Sequence, residues 1–164
     1  MDRLLIRGVM VSLILSFFTA CSSFDRHWKD AAQGRGGTSR WDGKWTSEKH
    51  HKNDGSPEDG RLRCVLEPAP GQALTAHFHA NWLIFSSNFT TTLQPAAGGP
   101  RREKSRHFVG TQMLPAMFGG VYRYEVRIAG DHFVALYSSS YDHGTFKLQR
   151  VPADTEKREL HSQH

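Results

Sequence analysis

Between Trp41 and Val151 the apolar residues recur at every second position, which is the period of half-buried strands and not of helices. Leu62, Cys64 and Leu66 alternate with Arg61, Arg63 and Val65, and Leu74, Ala76, Phe78 and Ala80 alternate with Thr75, His77 and His79. Tyr122, Tyr124, Val126 and Ile128 alternate in the same way with Arg123, Glu125 and Arg127. Turn signals separate the runs: Asp54 and Gly55, Asp59 and Gly60, the stretch from Pro68 to Gly71, and Gly130 with Asp131. The pattern predicts about eight strands, over 43–49, 60–68, 72–80, 83–93, 104–113, 120–129, 132–141 and 144–151. The segment Met113 to Gly120 breaks the alternation and reads as an apolar loop or a single helical turn.

Eight sequential strands joined by short turns imply one all-β domain, 41–151, folded as a small antiparallel up-and-down barrel. Closure is expected because an open meander would leave two unpaired edges. An eight-stranded barrel has an interior just wide enough to be filled by side chains or to hold one small ligand. The candidate wall of such a pocket is Phe78, Phe85, Tyr122, Tyr124, Phe133 and Tyr137, aromatics that supply area and, through the tyrosines, polar handles. The same residues can equally form a solid core.

Gly43, Lys44 and Trp45 in the first strand and Arg150 in the last resemble the calycin superfamily, the lipocalins and their relatives. There a Gly-x-Trp opens the barrel and an arginine from the final strand packs over the tryptophan. The resemblance implies that Gly43, Trp45 and Arg150 close the barrel, and Arg150 shares strand parity with Phe146 and Leu148. The stretch Tyr141 to Arg150, Gly119 and Gly120 before Tyr122, and Gly60 to Arg63 also resemble a small uncharacterised family of bacterial envelope proteins with short barrels.

Ahead of the domain stand Arg3 and Arg7, an apolar stretch from Val9 to Phe18, and then Thr19, Ala20 and Cys21. A basic start, a short apolar run and a small residue before the cut are the parts of an export signal; the run is shorter than the roughly 20 residues that span a bilayer. Because cysteine follows the small residue, the segment resembles the signal of bacterial lipoproteins. The resemblance implies removal of residues 1–20, lipid attachment at Cys21 and, with Ser22 next, sorting to the outer membrane facing the periplasm. Residues 21–40 are rich in small and polar types and read as a flexible tether, and 152–164 as a disordered tail.

Without residues 1–20 the chain keeps 19 basic and 15 acidic residues, a formal charge of +4 against the original +5. That mild excess suits anionic lipid headgroups and lacks the dense basic stripe of nucleic-acid binders. Arg101, Arg102, Lys104 and Arg106 form the one basic cluster, read as a solvated hairpin loop. With Cys21 lipidated, Cys64 has no partner for an internal disulfide and reads as a small buried hydrophobe.

Ten histidines invite a metal reading. His77 and His79 lie two apart on one strand face, with His50 and His51 in a loop, but a zinc site needs three or four ligands and no carboxylate stands at a supporting spacing. The two are therefore expected on a solvated strand face, with no metal site assigned. Ser138, Ser139 and Ser140 beside Asp142 and His143 on one hairpin do not supply the geometry of a catalytic triad. The expectation is a non-catalytic, lipid-anchored envelope protein without a cofactor, binding a small apolar or amphipathic ligand in its barrel; the alternative is a structural or interaction protein with a solid core, with a metal-dependent enzyme behind both.

Overall fold

The computed structural model describes residues 23–82, 85–97, 105–114 and 120–154. Alternating side chains become one closed antiparallel barrel in which every strand pairs with its neighbours in sequence and the last returns to the first. The strands are β1 (Ser39–His51), β2 (Pro57–Pro68), β3 (Leu74–Trp82), β4 (Phe85–Pro95), β5 (Ser105–Met113), β6 (Val121–Ala129), β7 (His132–Ser138) and β8 (His143–Val151). This is the expected small calycin-like architecture. The strand count matches, and β1 is the element that most exceeds its predicted bounds, because Ser39 and Arg40 pair in register with β2, and Arg40 also with β8, before the apolar pattern begins.

Closure runs through β1 and β8, from Arg40 opposite Val151 to Ser47 opposite Gly144. Gly43 is needed at this seam: a Cβ there would collide with the Lys147 carbonyl and come within 2.8 Å of the Leu148 Cα. Gly60 on β2 has a similar task, since a Cβ would strike the Asn81 carbonyl and the Trp45 indole, whose Nε1 donates to that same carbonyl at 3.1 Å. Past Thr46 the β1–β2 register shifts: between the Thr46–Asp59 and His51–Pro57 pairs β1 advances five residues and β2 two, the extra residues of a β-bulge or irregularity.

The expected stacking of Arg150 over Trp45 is not what closes the barrel. In the β1–β8 ladder Trp45 stands opposite Phe146 and Arg150 opposite Trp41, four residues apart, a separation of roughly 13 Å at about 3.3 Å per residue. Arg150 lies at the rim, its guanidinium 3.9 Å from Asp131, while Trp45 is held toward β3. Strand parity had placed Arg150 with Phe146 and Leu148, but at the last turn of a barrel the inward face opens to solvent. The buried tryptophan at this end is Trp41, in tilted contact with Phe133 at 5.9 Å.

Residues 23–31, read from composition as part of a flexible tether, form a helix, α1. Phe24, Trp28 and Ala31 recur at helical spacing on one face, and Phe24 and Ala31 are buried with Val65 of β2. Val65 points outward from the barrel yet is fully covered, because α1 lies on it. A short tie fixes the far end of the helix: Arg40 donates to the Pro152 carbonyl and to Asp154, and the Asp154 N–H donates to the Ala32 carbonyl. The first residues of the expected tail are thus ordered against the helix, with Ala153 buried.

Candidate functional site

The barrel interior is built from the inward positions of all eight strands, and its centre is aromatic. Phe78 of β3 meets Phe89, Phe133 and Phe146 at centroid distances of 4.9, 6.3 and 5.7 Å. Phe146 continues the chain of rings to Tyr137 at 4.9 Å and Tyr124 at 6.0 Å, and Tyr122 meets both tyrosines at 6.1 and 6.4 Å. Of the six residues predicted to line a pocket, Phe78, Phe133, Tyr124 and Tyr137 are buried in this cluster and Tyr122 packs partly buried against it. Phe78 and Phe133 meet on one side of this cluster and the three tyrosines on the other, with Phe146 between them. The Phe85 side chain lies outside the described residues.

Polar groups in this interior are satisfied by one another. The Tyr137 hydroxyl donates to Asp142 at 2.8 Å, and the other carboxylate oxygen accepts from the buried Ser47 hydroxyl at 2.7 Å and from the His143 N–H at 2.8 Å. Ser47 accepts in turn from the N–H groups of Lys49 and His50, and Ser139 caps the β7–β8 turn by accepting from the Tyr141 and Asp142 N–H groups. Asp142 is therefore the hub of a structural knot joining β1, β7 and β8. Burial raises the Tyr137 phenol far above its ordinary range, with the adjacent Asp142 adding to the rise, and burial likewise raises Tyr124. Cys64, expected to be a buried hydrophobe, is fully buried, and burial pushes its thiol well up.

On the outside, α1 covers the face formed by β1, β2 and β3. Arg63 lies over the rings of both Phe24 and Trp28 at 5.2 Å, and Arg40 lies over Trp28 at 5.6 Å. Each histidine expected on a solvated face instead has a ring of the helix stacked on it: His79 against Phe24 at 5.1 Å and His77 against His27 at 4.0 Å. Glu67 of β2 completes the second pair, its carboxylate 2.8 Å from His27 Nδ1 and 3.4 Å from His77 Nε2. Desolvation, followed by the neighbouring His27, lowers the His77 pKa from its usual value. Glu67 and His27 had no sequence signal as partners of His77, though the Phe24, Trp28, Ala31 spacing is the signal by which the helix carrying His27 is recognisable.

Surface recesses flank the barrel among the described residues. One, of about 320 Å³, lies at the rim between Ser39, Leu66, Leu74 and Arg106. Another, of about 400 Å³, lies on the outer face of β5, β6 and β7, where Val109, Val134 and Leu136 are exposed. Cys21, Arg101, Arg102, Lys104 and the segment 115–119 lie outside the described residues. No family model, curated protein or solved structure matches the chain.

Proposed function

We propose that this chain is a non-catalytic, lipid-anchored envelope protein whose solid barrel acts through its outer surface, as a structural or protein-interaction module, and does not carry a ligand inside. The observation behind this reading is the mutual packing of Phe78, Phe133, Phe146, Tyr124 and Tyr137, which places rings where a carrier needs a cavity. The outer face supports the same reading. Val109, Val134 and Leu136 offer apolar contact area beside Glu125 and Arg127, the mixture of apolar centre and charged surround found where proteins meet.

A probe experiment separates this from a carrier. N-phenylnaphthylamine titrated into the chain from Ser22 onward should give no saturable fluorescence rise under conditions where the fold is intact. Saturable binding that Tyr124→Ala weakens by more than its effect on stability would restore the ligand-carrier reading. The anchor rests on the signal-like segment ending at Cys21, and lipid chains hold a protein at a bilayer through about 0.8 kcal/mol per buried methylene. Cys21→Ser should abolish fatty-acid labelling and shift the protein out of the membrane fraction; unchanged labelling and fractionation would remove the anchor from the proposal.

A further inference from the structure

The seam between α1 and the barrel brings together two imidazoles and a carboxylate from three elements: His27 of the helix, Glu67 of β2 and His77 of β3, with one ligand atom from each within 4.8 Å of the others. We propose that this trio binds a divalent transition metal of the zinc class, and that the ion clamps α1 onto the barrel wall. The inference is independent of both the anchor and the solid-core reading.

The donor set and its geometry carry the argument. Zinc accepts two histidines and one carboxylate, leaving a fourth position for water. Bonds of about 2.0–2.1 Å in a tetrahedral arrangement set ligand-to-ligand edges of roughly 3.3 Å. Glu67 Oε2 and His77 Nε2 already stand 3.4 Å apart, while Glu67 Oε1 and His27 Nδ1 stand 2.8 Å apart. Two imidazoles disfavour magnesium and calcium, which take oxygen ligands.

The surroundings of His77 are those of a metal ligand. Its Nδ1 lies 3.1 Å from the Thr90 hydroxyl on β4, the outer partner that fixes ring orientation in metal-bound histidines. With Nδ1 engaged there, Nε2 faces Glu67, and that nitrogen is buried with no well-formed hydrogen bond. A shared cation would satisfy it. The two imidazoles stack at 4.0 Å with planes 17° apart, so the His27 ring has to turn out of the stack to bring its in-plane lone pair to an ion shared with His77; the three side chains keep between 16 and 38 % of their surface exposed, which leaves room for that turn and a path for an ion and a coordinating water.

The full-length chain, stripped with EDTA and titrated with Zn²⁺ in a non-chelating buffer, should bind one ion per chain. X-ray absorption should show nitrogen and oxygen ligands at about 2.0–2.1 Å. His27→Gln keeps a side chain able to donate to Glu67 and should lower the affinity on the order of 100-fold, the upper end of the loss seen even for outer partners of a metal site. His132→Gln, at an exposed position at the start of β7, should leave it unchanged. In the wild type Zn²⁺ should also slow amide exchange across residues 23–31, a readout that binding by scattered surface histidines does not produce. Should His77→Gln fail to fold, His27→Gln on the helix still decides the matter. Equal affinity in wild type and His27→Gln, or one ion bound with no added protection of the helix, overturns the proposal.

Discussion

Phe78→Ala should destabilise the domain by about 3 to 5 kcal/mol, the cost of truncating a large buried aromatic in a core that cannot collapse around the gap. Phe78 is about as buried as a side chain can be, at 1 % exposure, and it is the ring on which Phe89, Phe133 and Phe146 converge. Those neighbours are carried by β4, β7 and β8, so no single strand can shift to fill the space without disturbing ladders on either side. Chemical denaturation of the purified variant measures the loss. A cost below about 1 kcal/mol would mean that the interior is loosely filled, and would return the ligand-carrier reading to contention.

The alternation that predicts β6 and β7 is obeyed residue by residue: Tyr124, Val126 and Ile128, then Phe133, Ala135 and Tyr137, point inward while their neighbours point out. Register follows from such a pattern, since a slip of one residue would turn every one of these side chains to solvent. The barrel was therefore legible. Whether it is hollow was not, because an inward aromatic looks the same in sequence whether it faces a ligand or another ring. The helix at 23–31 was hidden by composition: Arg26, His27, Lys29 and Asp30 make the stretch polar on average, and the stripe of Phe24, Trp28 and Ala31 is short. Its stability comes from docking on Val65, 41 residues beyond Phe24, and local propensity carries no information about that surface. For the same reason the trio at the seam was out of reach of spacing rules, since His27 and Glu67 are 40 residues apart and meet through the closure of the fold. Arg150 shows the opposite failure: a local motif resembled a known closure, and the register placed the residue four positions too far along the strand.

Asp142→Ala should lower stability by about 1 to 4 kcal/mol, because it removes the acceptor of the Ser47 hydroxyl and the nearer acceptor of the Tyr137 hydroxyl, which keeps only the Thr46 carbonyl at 3.4 Å, and each unsatisfied buried group costs roughly 1 to 3 kcal/mol. Ser47 is completely buried and Tyr137 nearly so, so water cannot replace the lost acceptor. The pH dependence of stability gives an independent view of the same knot. Folding raises the Tyr137 phenol above its ordinary value of 10.0, first through burial and then through Asp142, so the folded chain favours the neutral hydroxyl. In the unfolded chain that phenol ionises from about pH 10. The stabilisation is accordingly complete below pH 10 and is lost as the pH rises toward the folded-state value, where the unfolded state has released the proton and the folded state still holds it. Tyr137→Phe should make the alkaline loss shallower, with the remaining slope set by Tyr124 and the other tyrosines. Asp142→Ala that unfolds at the wild-type denaturant midpoint, together with an unchanged alkaline profile in Tyr137→Phe, would show that the hydroxyl and carboxylate reach water and that β1, β7 and β8 are joined there by their ladders alone.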